Sequence, residues 1–188
     1  MSKFKGTFNL DESDANYFRA LYRKARQGAK DLDAETIIRD AQGIVKAVRS
    51  AKKTPSFVIE AIDVLTDLVE LIQDEEYAVP KRVRTQVLAG LAYFSNPDDL
   101  IPDHVPGLGF LDDAIMVKFI EEEFKHELWG VRKFRKMRDS TEQRPWAEPG
   151  SKRLASRLDA DRKRVRGMVE EREAKDSVKR KSGSYLGW

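Results

Sequence analysis

The sequence predicts an all-α protein, built as a bundle of about five helices with an ordered loop rich in proline, glycine and aspartate and a basic, helical C-terminal tail. Apolar residues recur at spacings of three and four along most of the chain, whereas the period of two that marks a half-buried strand is almost absent. The 188 residues are 40% hydrophobic and 36% charged, which fits one compact domain with an appended element. The absence of cysteine excludes a disulfide scaffold, a thiolate nucleophile and a zinc–thiolate site.

The first two helices are predicted from their caps and their apolar faces. Asp11 or Ser13 can serve as the N-cap of the first helix, which turns Phe18, Leu21 and Tyr22 inward. The second helix begins after Asp33. Its apolar face consists of Ile37, Ile38, Ala41, Ile44, Val45 and Val48.

Proline marks the start of the third and fourth helices. Thr54 is the predicted N-cap of the third helix, and Pro55 occupies its first position, where a missing N–H is tolerated. Apolar residues surround much of this helix, so we expect it to be central. Pro80 likewise opens the fourth helix, which stops at Asn96 and Pro97.

The fifth helix is predicted from Leu111 to about Arg138, with acidic residues at its start and basic residues at its end, as the helix dipole favours. Residues 1–138 therefore form the predicted bundle, 139–150 a linker rich in helix breakers, and 151–188 a basic tail that is partly helical or disordered. A last helix is expected from Ser151 to about Asp176, with only a thin apolar stripe. The tail of residues 151–188 is predicted to be dispensable for folding of the bundle.

The positive charge of the protein belongs to this tail, since residues 1–138 carry a net charge of −1 and residues 139–188 a net charge of +4. Its candidate contact residues are Arg162, Lys163, Arg164, Arg166 and Trp188. Acidic residues are interspersed among them, so three interpretations stay open: a solvated single helix, a surface for a protein partner, and a surface for nucleic acid or anionic lipid.

The connection between the fourth and fifth helices carries a distinctive motif. Its members are Pro97, Asp99, Leu100, Ile101, Pro102, Asp103, Pro106, Gly109, Asp112 and Asp113. This pattern resembles the YkvA-like family of bacterial domains of unknown function, whose signature reads approximately Ser-Pro-x-Asp-Leu-Ile-Pro-Asp, then Pro-x-x-Gly-x-x-Asp-Asp. Here Asn96 separates Ser95 from Pro97, which departs from the usual Ser-Pro pair. The resemblance implies a helix–loop–helix unit over about residues 80–125 and no known catalytic activity.

The aspartates of this loop have two interpretations. They can act as helix caps and dipole partners in a stiff connection, with Asp112 capping the fifth helix. Alternatively, Asp99, Asp103, Asp112 and Asp113 converge and bind Mg²⁺, Mn²⁺ or Ca²⁺, with His104 as an additional ligand. The second histidine, His126, is expected to be a solvated surface residue.

We expect a non-enzymatic interaction or regulatory module with an unidentified protein partner and no required cofactor, because the chain shows no thiol and no recognisable acid–base pair. The alternatives are a divalent-cation-binding domain or metal-dependent hydrolase that uses the loop aspartates, and nucleic-acid or anionic-membrane binding through the tail. A homo-oligomer is also open. The chain shows no secretory signal and no transmembrane segment, so the expected location is the cytoplasm, including the periphery of the membrane.

Overall fold

The structure, a computed structural model, describes residues 11–51, 54–96, 101 and 109–184, with side chains up to residue 178. These residues form six α-helices: α1 (Glu12–Gly28), α2 (Ala34–Ser50), α3 (Ser56–Gln73), α4 (Lys81–Leu91), α5 (Leu111–Glu142) and α6 (Lys152–Ser184). The described residues include no strand, which confirms the predicted all-α class. None of their helices offers an apolar stretch of the length that a bilayer crossing requires.

The chain divides into two compact units. Unit 1 comprises the described residues up to Ile62 together with Leu88–Ile120, and unit 2 comprises Asp63–Val87 together with the described residues from Glu121 onward. In unit 1 the buried face of α2 follows the predicted pattern and consists of Ile37, Ala41, Val45 and Val48. In unit 2 the fully buried side chains include Leu65, Leu68, Leu71, Tyr77, Leu128 and Phe134.

Helix starts match the sequence closely, with small shifts. Asp11 caps α1 through a capping box with Asp14, and Asp33 caps α2 by accepting from the Thr36 N–H at 2.8 Å. The helix α3 begins at Ser56, one residue later than predicted. The predicted cap of α3 is wrong, because the Thr54 hydroxyl donates back to the carbonyls of Val48 and Ala51.

The two long helices extend further than the sequence predicted. The helix α5 ends at Glu142 rather than near Arg138, and Phe124 interrupts it with non-helical angles (φ −107°, ψ 17°). The helix α6 continues to Ser184, beyond the predicted end near Asp176. It is not a solvated single helix, because it buries Leu154, Leu158, Val165 and Val169. Spacings of four and seven place these four residues on one face, which is the thin stripe of the sequence.

Candidate functional site

The connection between α4 and α5 is the segment that the sequence singled out. The α-helix α4 passes into a 3₁₀ turn at Ala92–Ser95, and the chain then extends at Asn96. Of the predicted motif, the structure describes Ile101, Gly109, Asp112 and Asp113. The other members lie outside the described residues: Pro97, Asp99, Leu100, Pro102, Asp103 and Pro106, together with His104.

Asp112 and Asp113 lie in the first turn of α5 and are buried, with exposures of 3% and 6%. The predicted capping role of Asp112 is wrong, because α5 already begins at Leu111 and the Ala114 N–H donates to the carbonyl of Phe110. Instead the Asp112 carboxylate accepts a hydrogen bond from the Ile101 N–H at 3.4 Å. Asp112 therefore ties the connection to the start of α5.

In the described part of this segment, an aromatic residue adopts a left-handed conformation. Phe110 has a φ of 65° and is only 5% exposed. Such a conformation is unfavourable for a residue with a bulky side chain, so burial of the ring must offset the strain. Phe110 thus fixes the direction in which the chain enters α5.

The hypothesis of a metal site at the loop aspartates depends mainly on residues that the structure does not describe. Two of its four aspartates, Asp99 and Asp103, are not among the described residues, whereas Asp112 and Asp113 are. Within the described part of the chain, no three histidine or acidic side chains are arranged to hold a metal ion. Metal binding by the four aspartates stays a prediction.

An apolar groove of about 280 Å³ opens beside the start of this connection, within unit 1. The residues that line it are Leu21, Lys24, Ala25, Gly28, Asp31, Leu32, Ala92, Tyr93, Ser95 and Asn96. They come from the second half of α1, the 3₁₀ turn that follows it and the 3₁₀ turn after α4. The Ser95 hydroxyl oxygen is buried and has no hydrogen-bond partner in the described part of the chain. The sequence analysis missed this groove.

The wall of the groove that α1 forms is both apolar and basic. Tyr17 is 52% exposed and lies one turn before Leu21 on the same helical face, which extends the apolar surface. Leu32, at the other end, is 38% exposed. Residues 15–30 contain five Lys or Arg, and Asp31 is the single acidic residue in the lining of the groove. The groove is therefore an exposed apolar surface with a positive border.

A buried polar cluster, the Tyr77–Glu127–Arg166 cluster, occupies the interior of unit 2. The Arg166 guanidinium donates to both oxygens of Glu127 and to the Tyr77 hydroxyl, which in turn donates to Glu127 at 3.2 Å. The same guanidinium lies over the Tyr77 ring, 4.7 Å from its centroid. Gly130 leaves room for this arrangement, since a Cβ there would overlap the Tyr77 hydroxyl and approach Val169 to 2.6 Å.

Burial sets the proton affinities in this cluster. It raises the pKa of Glu127 above the ordinary value of 4.5, although Arg166 acts in the opposite direction. Burial and the neighbouring Glu127 charge also raise the pKa of Tyr77. Tyr77 is therefore a hydrogen-bond donor rather than a phenolate, and the cluster fastens α6 to α5 and to the α3–α4 connection.

The structure places three of the predicted tail contacts against acidic groups of the chain itself. Arg166 binds Glu127, whereas Arg162 and Lys163 both bind Asp159. Arg164 is exposed, and Trp188 lies outside the described residues. A contact between these residues and a partner stays a prediction, and for Arg166 it would require breaking the buried cluster.

His126 is not the solvated surface residue that was predicted. Its side chain is only 15% exposed, and Nε2 lies 3.0 Å from Oδ2 of Asp176 on α6. Lys125 also reaches Asp176 at 3.0 Å. These contacts hold the C-terminal part of α6 to α5. The sequence contains no signal for them, because the partners are fifty residues apart.

A comparison with protein families finds one match in the same segment. The family model described as a protein of unknown function (DUF1232) matches residues 83–119, which run from α4 through the connection into α5. This supports a domain of unknown function over the region where the resemblance was noted. No curated protein and no solved structure matches the chain.

Proposed function

We propose that the chain is a non-enzymatic interaction module, related to the YkvA-like domains, in which the apolar groove of unit 1 receives an amphipathic helix of a protein partner. The observation that carries this proposal is the groove itself, with its exposed extensions at Tyr17 and Leu32. A cavity of about 280 Å³ accommodates one or two large apolar side chains, as anchors of a docked helix do.

The charge of the groove border favours an acidic partner. Lys24 lines the groove and residues 15–30 add four further cations, whereas Asp31 is the single acidic residue of the lining, so the border is basic in balance. A helix with acidic residues beside its apolar anchors would complement this border and associate faster at low ionic strength. A basic helix would be repelled.

The family match supports the same location. One wall of the groove comes from Ala92, Tyr93, Ser95 and Asn96, which lie inside the matched residues 83–119. The matched segment thus supplies part of the docking surface.

Site-specific photocrosslinking tests the proposal. A photoreactive phenylalanine at position 17, beside the groove, should capture a partner whose crosslinked segment maps to an amphipathic helix with acidic flanks. The same probe at Phe57, which is 42% exposed on α3, serves as the control and should not capture that segment. Equal capture at both positions, or a captured segment without acidic residues, contradicts the proposal.

A binding measurement with the mapped peptide then tests the groove. Leu32→Glu should weaken binding about tenfold or more, because it places a charge against the apolar anchors. Ile59→Glu is a matched control, since Leu32 and Ile59 are both 38% exposed, and it should leave the affinity unchanged. The proposal fails if the two variants bind alike in fluorescence anisotropy.

A further inference from the structure

A second concave surface lies in unit 2, where the end of α5 meets the start of α6, and we name it the cationic groove. Its volume is about 380 Å³. Four basic residues line it: Lys133, Lys136, Arg144 and Arg157. None of these four residues lines the apolar groove of unit 1, and none is among the predicted tail contacts.

The cations of this groove are largely uncompensated. Lys133, Lys136 and Arg144 form no ion pair within the described part of the chain. The groove contains a single carboxylate, Asp161, which binds Nε of Arg157 at 3.2 Å. Its side chain is 5% exposed, so it anchors Arg157 from below rather than neutralising the open surface.

Helical periodicity keeps the acidic residues at the end of α5 out of the groove lining. On α5, Lys133, Lys136 and Ser140 recur at spacings of three and four and share one face, and Arg144 follows just after the end of the helix. A rotation of 100° per residue places Glu142 on the other side of α5 and Asp139 about 60° from Lys136, at the flank of this face, and neither residue lines the groove. Elsewhere on α5 basic and acidic residues pair across helices, as Arg132 does with Asp67.

The groove also has an aromatic and a hydrogen-bonding component. Trp146 and Met137 line it beside the cations, and the Arg153 guanidinium lies 4.6 Å from the centre of the Trp146 ring system. That contact holds the indole in place. Ser140 adds a hydroxyl donor. A flat apolar wall next to several cations is suited to a ligand that has both a planar ring and a strong negative charge.

We propose that the cationic groove binds a nucleoside phosphate. The phosphates would contact Lys133, Lys136, Arg144 and the terminal nitrogens of Arg157, since guanidinium groups bind phosphate oxygens through paired hydrogen bonds. The base would pack against Trp146. The volume of the groove lies within the range of small-molecule sites in proteins.

Titration of the full chain with ATP, AMP, adenosine and inorganic pyrophosphate tests this proposal by calorimetry and tryptophan fluorescence. ATP should bind more tightly than AMP, and the ATP affinity should fall as salt is raised, because the phosphates carry the charge. ATP should also alter the fluorescence of a Trp129→Phe, Trp188→Phe protein, in which Trp146 is the remaining tryptophan. Absence of ATP binding at millimolar concentration overturns the proposal, as does adenosine binding as tightly as ATP.

Substitutions distinguish binding of ATP in this groove from nonspecific attraction of anions to the protein. The Lys133→Gln, Lys136→Gln protein should bind ATP about tenfold or more weakly, and both side chains are exposed, so the fold should be retained in circular dichroism. The control is Lys46→Gln with Lys81→Gln, which removes the same charge from exposed positions outside the lining of either groove and should leave the affinity unchanged. Equal weakening by both pairs overturns the proposal. Pyrophosphate binding as tightly as ATP overturns the role of Trp146 and the base.

Discussion

The polar contacts of unit 1 that cap α1 and α2 are local, whereas those of the Tyr77–Glu127–Arg166 cluster in unit 2 are remote. Asp11 and Asp33 each bind an N–H three residues ahead. Arg166 binds partners that are 39 and 89 residues away in sequence. A capped helix start therefore needs only its own turn, whereas a buried charge needs the whole of unit 2 to be folded around it.

The two kinds of contact also shift carboxylate pKa values in opposite directions. The Thr36 N–H and hydroxyl lower the pKa of Asp33, because they bind its ionised form in water. Burial raises the pKa of Glu127, because the removal of water disfavours its charge more than Arg166 restores it. The negative charge of Asp33 therefore stabilises α2, whereas the negative charge of Glu127 destabilises unit 2.

Removal of α6 should have the largest effect. Truncation after Gly150 exposes the surfaces that Leu154, Leu158, Val165 and Val169 cover, at about 1.5–3 kcal/mol for each side chain, and leaves Glu127 without its cation. The sum approaches the total stability of a typical domain, so we expect unit 2 to lose cooperative unfolding in circular dichroism. This is opposite to the expectation from sequence that the tail is dispensable. A truncated protein with an unchanged unfolding midpoint would show that α6 is a separable tail.

Loss of the cation alone should have the next largest effect. Arg166→Met leaves the Glu127 carboxylate buried without a counter-charge, and urea unfolding should show a loss of about 3–5 kcal/mol. Arg164→Met, on the exposed side of the same helix, is the control and should change stability by less than about 0.5 kcal/mol. Replacing the three groups together, as Tyr77→Phe, Glu127→Leu and Arg166→Met, should restore much of the loss, since an apolar core can substitute for a buried ion pair. Equal losses of stability in Arg166→Met and Arg164→Met would indicate that the Glu127 carboxylate is exposed to water.

Two glycines test how closely the cluster is packed. Gly130→Ala introduces a Cβ that overlaps the Tyr77 hydroxyl and presses on Val169, so we expect a loss of about 1–3 kcal/mol. Gly167→Ala, on α6, meets nothing within 4 Å and should stabilise the helix by about 0.5–1 kcal/mol. Thermal unfolding of both proteins measures the difference. A neutral Gly130→Ala would mean that α5 and α6 can separate at no cost.

The sequence predicted what depends on local chemistry and missed what depends on assembly. Helical class, the caps at Asp11 and Asp33 and the buried face of α2 follow from spacings of three and four residues. The environment of His126 does not follow from such spacings, because Asp176 comes close to it only when α6 packs against α5. The apolar groove was missed for the same reason, since its walls come from residues 21–32 and 92–96. The cationic groove lies within residues 133–161, and it was missed because the turn that brings α6 back to α5 was interpreted only as a linker.

One remote set did leave a signal that could have been used. Acidic residues at the end of α3 and just after it recur at intervals of three and four, basic residues on α5 recur at intervals of three, and the structure joins them across unit 2. The paired residues are Asp67 with Arg132 and Arg135, Glu70 with Arg135, and Asp74 with Arg138. Complementary charge periods on two helices indicate that those helices are neighbours. The charge pattern of α3 and α5 alone therefore predicts that these two helices are in contact.

The smallest expected effect, and the most direct test of the contrast, is in the pH dependence of the two carboxylates. The folded-state pKa of Asp33 lies below its ordinary value of 3.8, so its stabilisation is present above that pH and is lost as the pH falls toward the lowered value. Asp33→Ala should therefore lower the thermal midpoint slightly at pH 7, and the difference from the parent protein should shrink under acid. Asp33→Asn, which keeps a capping oxygen, should retain most of the midpoint at pH 7.

Glu127 should show the reverse sign. Its folded-state pKa lies above 4.5, so between that pH and the raised value the native state binds more protons than the unfolded state, and stability falls as the pH rises. Glu127→Gln removes this titration, and its stability relative to the parent should rise with pH across the same window. Urea unfolding at a series of pH values measures both slopes. If the Glu127 and Asp33 slopes had the same sign, the buried carboxylate would be solvated like a cap, and α6 would not enclose it.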